Sequence, residues 1–124
     1  MHRYNTETIP AFELPFSQAV QNENTLYLSG QVGIDPNTRE TVEGFKAQMT
    51  QALENTVTVL EYAGSSVDNL IKVTAYLTNM DHFSQFNRIY SEFLNEPYPA
   101  RSAVGVSELA WEEFLIELDA VAEM

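Results

Sequence analysis

Arg101 is the first residue to consider for chemistry, because cations are scarce in this chain. It is one of six basic residues set against eighteen acidic ones, and it follows Pro99 and precedes a short apolar run. This context predicts the first residues of a strand that leaves a loop. Such a strand would hold the planar guanidinium ready to bind a carboxylate through two parallel hydrogen bonds. The alternative is a structural ion pair with an acidic side chain, and composition alone favours that alternative.

Two carboxylates near the C-terminus form the second candidate. The alternation of residues predicts a last strand over Phe114–Ala122, and Glu117 and Asp119 lie together on one face of it. Leu115 and Val121 share that face, so it is half apolar. A carboxylate on such a face lies either at a wet edge of the sheet or in a functional site. Composition alone favours the wet edge, since acidic side chains are rarely buried.

Two helices and several strands must position these residues. A long amphipathic helix is predicted over Val42–Ala63, and Gly64 is a natural residue to end it. A second helix is predicted over His82–Leu94, with Asp81 as its N-cap. The apolar stripe of the first helix is Phe45, Met49, Ala52, Leu53, Val57, Leu60 and Ala63, with Thr56 beside it. The stripe of the second helix is Phe83, Phe86, Ile89, Tyr90 and Phe93.

The remaining segments alternate as strands do. Residues 1–15 are predicted to form an edge strand or an extended arm. Phe16–Val20 and Thr25–Ser29 are predicted to form a hairpin through the polar turn between them. Leu70–Thr78 is a further strand, and with the long helix and the strand before it, it forms a βαβ unit whose two strands should run parallel. The face of that strand expected to be apolar carries Ile71, Val73, Ala75 and Leu77.

Composition limits the classes of protein to which the chain can belong. A chain of 124 residues, 44% apolar and 19% charged, is expected to form a single domain over residues 1–124. It has no cysteine, which excludes a disulfide framework and a thiol nucleophile and favours a cytoplasmic location. The net charge of −12 disfavours nucleic acid and anionic membranes, because binding phosphates requires clustered cations. No stretch has the apolar character of a signal peptide or a membrane span.

The predicted layers leave one sheet face without a cover. Two helices can cover one face of a six-stranded sheet, whereas the other face keeps Tyr76, Leu115 and Val121. An exposed apolar face of this kind usually indicates an oligomer.

Short segments spread along most of the chain resemble the Rid (YjgF-type) family of reactive-intermediate deaminases, which hydrolyse 2-enamines and 2-imines to 2-keto acids and ammonia. The resemblance implies an α+β, chorismate-mutase-like protomer with a six-stranded mixed sheet and two helices on one face. It also implies a homotrimer with a site in each cleft between subunits. The matching segments, in the order of the family, are Pro15–Val20, Leu28–Gln31, Asp35–Pro36, Gln51–Asn55, Ala63–Gly64, Lys72–Thr74, Phe86–Phe93, Pro99–Ser102 and Ile116–Ala120.

The resemblance also implies roles for particular residues. Arg101 matches the arginine that grips the carboxylate of the substrate, and Glu117 matches the glutamate that positions or activates the hydrolytic water. A small carboxylate-bearing substrate is implied, with no cofactor, no metal, no nucleic acid and no membrane as partner. The other residues that the resemblance places around the substrate are Phe16, Ser29, Gly30, Gln31 and Asn87.

Three departures from the family pattern bear on function. Phe16 stands where the deaminases usually have Tyr, so one hydroxyl near the ligand is missing. Ala103 stands where they often have Cys, which matters little to the mechanism. One extra residue lies between Arg101 and Glu117, in a hairpin expected over 108–113, and a different register would make Asp119 the acid.

The sequence leaves two other functions open. The missing phenol makes a non-catalytic trimeric binding module for small carboxylic acids a credible alternative to the enzyme. A ribonuclease, an activity ascribed to some relatives, is disfavoured by the charge of −12. The two histidines, His2 and His82, offer no acid–base pair, and His82 is expected to be a solvated residue of a first helical turn.

Overall fold

The structure is a computed structural model that describes residues 1–124. Its elements are β1 (His2–Tyr4), β2 (Ala19–Asn22), β3 (Thr25–Val32), α1 (Phe45–Tyr62), β4 (Leu70–Leu77), α2 (Phe83–Phe93), β5 (Ala100–Gly105) and β6 (Ile116–Glu123). The six strands form one sheet in the order β1-β2-β3-β6-β4-β5, and both helices pack on one side of it. The predicted α+β protomer, with a six-stranded mixed sheet and two helices, is confirmed.

The pairing of strands follows the predicted hairpin and the predicted βαβ unit. β2 and β3 are antiparallel, with Ala19 opposite Leu28, and β1 pairs with β2 as an edge strand. β3 and β4 run in the same direction, because each is antiparallel to β6, which lies between them. Only the β4–β5 pair is parallel. The strand order therefore places Glu117 on a central strand and Arg101 on an edge strand.

The first helix begins later than the sequence predicts. α1 starts at Phe45 instead of Val42, because the backbone N–H of Val42 donates to the carbonyl of Gly33 at 2.9 Å. That bond ties the chain to the end of β3 before the helix can begin. At the other end Gly64 has a φ of +91°, the left-handed conformation expected of a glycine that ends a helix. Val57 is predicted to lie on the buried stripe of α1 but is only partly buried, whereas Val59 is buried.

Two local predictions are wrong for identifiable reasons. Ile71 is 47% exposed, because the pairing with β6 shifts between Leu70 and Lys72 and leaves Ile71 as the extra residue of a bulge. Asp81 is not the N-cap of α2. It belongs to a 3₁₀ turn over Met80–His82, and its backbone N–H donates to the Oδ1 atom of Asn79 at 2.9 Å. Asn79 therefore caps the segment that leads into α2.

The helices cover one face of the sheet and leave the other open, as predicted. The covered face of β6 is apolar and buried, with Ile116, Leu118 and Ala120 at most 3% exposed. On the opposite face Tyr27 is 50% exposed and pairs with Val121, which is only partly buried. Neither helix combines the length and the apolar character that crossing a membrane would require.

Candidate functional site

Arg101 lies on the edge strand β5, on the side of the sheet that faces α2. It pairs with Val73 of β4, which is buried on the helix side. The guanidinium carbon lies 5.0 Å from the centre of the Tyr90 ring, 5.1 Å from that of Phe86 and 5.9 Å from that of Phe83. Within the protomer the neighbours of this cation are therefore aromatic rings, and not the acidic side chain that a structural ion pair would require.

The aromatic neighbours come from the helical repeat of α2. Residues at spacings of three and four lie on one helix face, so Phe83, Phe86 and Tyr90 form one stripe beside the guanidinium. The faces of aromatic rings attract cations, which orients the guanidinium while its hydrogen-bond donors stay free. Burial raises the pKa of Tyr90, and the positive charge of Arg101 opposes that rise. The Tyr90 hydroxyl is buried without a hydrogen-bond partner. The cleft around Arg101 is lined by Asn87, Tyr90, Ser91, Tyr98 and Pro99.

Glu117 lies on β6, on the face turned away from the helices. It pairs with Val32 on one side and with Tyr76 on the other. Burial, and secondarily the negative charge of Asp119, raises the pKa of the Glu117 carboxyl. Asp119 itself accepts a hydrogen bond from the Tyr76 hydroxyl at 3.0 Å, and this bond is the main reason that the pKa of Tyr76 is raised. Of the two acids, Glu117 is the one that lines a cavity.

That cavity has a volume of about 160 Å³, and Phe16, Gly30 and Gln31 line it together with Glu117. Glycine at position 30 permits the close approach of the Glu117 carboxylate, because a Cβ atom here would collide with that carboxylate in its present position. The predicted Ser29 has a different role in the chain. Its hydroxyl donates to the carbonyl of Ser17 at 2.6 Å, which joins β3 to the segment leading into β2.

The residues predicted for one site therefore fall into two groups. Arg101 and Asn87 line one cleft, whereas Phe16, Gly30, Gln31 and Glu117 line another. The register explains the separation: Arg101 pairs with Val73 and Glu117 with Tyr76, three residues further along β4. Residues three apart on a strand point to opposite faces of the sheet. Within one protomer the cation and the carboxylate cannot contact the same small molecule.

Sequence reasoning assigned no role to three buried amide side chains, of which Gln18 and Asn55 line the Glu117 cavity and Gln48 holds the segment before β6. Gln18 accepts from the backbone of Thr6 at 2.7 Å and donates to the carbonyl of Ile9 at 2.9 Å. Asn55 donates to the carbonyls of Val32 and Ile34. Gln48 accepts from the backbone N–H of Leu115 at 2.8 Å and donates to the carbonyl of Glu113 at 3.0 Å. For Gln48 and Asn55 the sequence did contain an indication. Both are polar residues on the buried face of α1, and a buried polar side chain needs a hydrogen-bond partner.

An aromatic wall of the same cavity also escaped prediction. The hairpin expected over 108–113 is wrong: β4 separates β5 from β6, so the segment between those strands is a crossing loop. In this loop Trp111 packs edge-on against Phe12 at 5.1 Å and stacks on Phe114 at 5.0 Å. The contact joins segments a hundred residues apart in the chain, so no local pattern could indicate it.

The histidines and the acidic residues form no other centre. His82 is not solvated as predicted: it is partly buried and its ring stacks on Phe45 at 4.4 Å. His2 lies at the edge of the sheet, on β1, with its ring against Tyr4. No three His, Asp or Glu side chains converge in a way that could hold a metal ion.

Comparisons with known proteins agree over nearly the whole chain. A family model described as Endoribonuclease L-PSP matches residues 6–124. A RutC family protein of Pyrococcus horikoshii is 46% identical over 118 residues, which cover 94% of this chain and 93% of that protein. A protein of Dermatophagoides farinae named 2-iminobutanoate/2-iminopropanoate deaminase is 43% identical over 96 residues, covering 77% of this chain and 75% of that protein.

The solved structures agree with the sequences. The crystal structure of RidA from an Antarctic Psychrobacter bacterium superposes with a TM-score of 0.95 at 39% identity, and the alignment covers 100% of both chains. The chain is thus similar, in sequence and in fold, to proteins whose names include both a deaminase and an endoribonuclease.

Proposed function

The chain belongs to the YjgF/RutC/Rid family, the family of the Endoribonuclease L-PSP model, and we propose that it hydrolyses reactive 2-enamines and 2-imines, such as 2-iminopropanoate, to 2-keto acids and ammonia. One observation carries this proposal most directly. The Glu117 carboxyl lines an apolar cavity, and burial raises its pKa. A general base works best when its pKa lies close to the working pH, so the shift of Glu117 is in the useful direction.

The proposal needs a second protomer, because Arg101 and Glu117 lie on opposite sides of one sheet. We propose a homotrimer in which Arg101 and Asn87 of one subunit face Phe16, Gly30 and Glu117 of the next. Two features of the protomer support it: an open sheet face with exposed Tyr27, and an edge arginine whose donors are free. A cytoplasmic location belongs to the same proposal, since a chain without cysteine suits a reducing compartment.

In the proposed reaction Arg101 binds the substrate carboxylate through two hydrogen bonds and turns the C=N carbon toward Glu117. Glu117 accepts a proton from water as the water oxygen bonds to that carbon, and the imine nitrogen takes up a proton from solvent to become an amine. Glu117 then passes its proton to the amine nitrogen, the C–N bond breaks and ammonia leaves. The new hydroxyl group releases its proton to solvent as the C=O bond of the 2-keto acid forms. An enamine enters the same sequence after gaining a proton at C3.

A non-catalytic trimeric module that binds small carboxylic acids is the second candidate. The observation that favours it is Phe16, which lines the cavity beside Glu117 without the hydroxyl that the deaminases usually have there. Such a module would keep the Arg101 cleft and lack the water-activating step. A ribonuclease has weaker support, because the net charge of −12 opposes binding of a phosphate backbone.

The deciding experiment generates an imine in place and follows the release of keto acid. An amino-acid oxidase acting on alanine supplies 2-iminopropanoate, and the protein should accelerate its hydrolysis above the rate in water. Arg101→Ala should abolish turnover and keto-acid binding, and Arg101→Lys should recover little, since an ammonium cannot reproduce the planar fork.

Glu117→Gln separates the enzyme from the binding module. It keeps the size of the side chain but cannot accept a proton, so turnover should fall by about 10²- to 10⁴-fold while keto-acid affinity holds. A wild-type protein without turnover, but with a saturable carboxylate site that Arg101→Ala removes, would decide for the binding module. Unimpaired Glu117→Gln turnover would exclude Glu117 as the base.

A further inference from the structure

The cavity beside Glu117 extends well beyond the reacting centre. Of the 16 residues that line it 10 are hydrophobic, and Glu117 is its only charged residue. Ile9, Phe12, Trp111 and Phe114 form an apolar wall of this cavity, and the hydrolysis itself requires none of them. Iminopropanoate carries only a methyl group beyond its reacting carbon, so most of this space has no role in the reaction of the smallest substrate.

This apolar wall is held in place by contacts from three parts of the chain. Trp111 bridges Phe12 and Phe114, and the Arg39 guanidinium carbon lies 5.1 Å from the centre of the Phe12 ring. Phe12 and Glu13 have φ values of 54° and 57°, a left-handed conformation that costs free energy in residues other than glycine. Backbone strain of this kind persists where the surroundings impose it, often at ligand sites.

Two of the polar side chains that line the cavity, Gln18 and Asn55, are already hydrogen-bonded within the protein. The Gln18 amide is taken up by the backbone of Thr6 and Ile9. The Asn55 amide nitrogen donates to two carbonyls, and its oxygen accepts from Gln51 at 2.8 Å. A polar group brought against Gln18 or Asn55 would lose its hydrogen bonds to water without replacement, whereas an apolar group would lose nothing.

We propose that this cavity is the subsite for a branched or aromatic substrate side chain, so that the preferred substrates are 2-imino acids with isobutyl or benzyl substituents. The inference rests on the proposed function and names its substrate class. The volume fits, because an apolar cavity of about 150 Å³ accepts benzene, and this one measures about 160 Å³. The rings of the apolar wall supply the contacts that a phenyl or isobutyl group would make.

Binding of product keto acids tests the subsite without requiring turnover. Titration calorimetry on the intact assembly would compare pyruvate, 4-methyl-2-oxopentanoate and phenylpyruvate. One methylene in an apolar pocket is worth about 10- to 200-fold, so the two larger acids should bind at least about tenfold more tightly than pyruvate. Ala11→Leu narrows the cavity and Trp111→Leu removes part of its wall, and either should reduce the ratio. Tyr62→Ala, which removes a 55% exposed ring on α1, should keep it.

The outcomes separate the subsite from the reaction. A preference for the larger acids that falls in Ala11→Leu or Trp111→Leu supports the subsite, even if no imine is hydrolysed and the proposed function fails. Equal affinities for the three acids overturn the subsite, even if iminopropanoate is turned over. A preference that survives in every folded cavity variant also overturns it, because the selectivity would then originate elsewhere. Thermal melts identify the variants that fold, and the two substitutions lie in different segments of the chain, so that a fold lost in one variant leaves the other to test the subsite.

Discussion

Gly30→Ala is the substitution whose effect follows most directly from the geometry. A Cβ atom on Gly30 would lie 2.7 Å from the carboxyl carbon of Glu117 and 3.0 Å from its Cγ. Ordinary contact begins at 3.4 Å, so the carboxyl carbon must withdraw by at least 0.7 Å (3.4 minus 2.7). A displacement of about 1 Å in a reacting group costs about 10²-fold in rate. We therefore expect Gly30→Ala to reduce kcat/KM by about 100-fold.

The same geometry predicts little loss of stability. The colliding atoms belong to the end of a flexible side chain, and Gly30 is exposed in a strand, so the carboxylate can move without disturbing the core. We expect a change in unfolding free energy within about 1 kcal/mol, as for a surface substitution. Gly105→Ala is the matched control. Its Cβ would press on the flexible Met80 side chain at 3.0 Å and would not meet Glu117, from which β4 separates it, so its turnover should match that of the wild type.

The assay is release of keto acid from 2-iminopropanoate generated in place, with thermal melts of each variant. Glu117→Gln and the double variant that combines it with Gly30→Ala complete a double-mutant cycle. Because Gly30→Ala acts by displacing the Glu117 carboxylate, adding it to Glu117→Gln should cost almost nothing further. Full activity in Gly30→Ala would refute the reasoning that Glu117 must hold this position. Additive losses in the double variant would show that Gly30 acts by another route.

Three further predictions concern the pH dependence of stability, the role of Phe16 in the cavity wall, and the oligomeric state. Glu117→Gln should raise the melting temperature at neutral pH but hardly at about pH 4. Burial raises the pKa of Glu117, so its stabilising protonated form is lost as pH rises through the raised value; equal shifts at both pH values would contradict this account. Phe16→Tyr should be tolerated within about 0.5 kcal/mol and keep or raise turnover, since Phe16 is 44% exposed. A loss above about 2 kcal/mol would mark Phe16 as core. Light scattering should give about three times the 14.0 kDa chain mass, and a stable monomer would remove the proposed cleft.

Local periodicity determined most of the secondary structure. The alternation along β6 assigned its buried face correctly, and α2 begins and ends within one residue of its prediction. These features depend on neighbours three or four residues away at most, and so they are visible in the chain. The predictions failed where a distant contact decided the outcome. Val42 is held by Gly33, and Ile71 is displaced by a bulge against β6.

The arrangement of the candidate site depended on the tertiary structure more than the secondary structure did. The sequence by itself singled out Arg101 as a rare cation before a strand and Glu117 as a carboxylate on a half-apolar face. Only the strand pairing and its register revealed that they face opposite sides of the sheet and line separate clefts of one protomer. The pairing of Phe12 with Trp111 likewise required the folded chain. Strand order and loop contacts join residues far apart in sequence, and short-range patterns carry no record of such contacts.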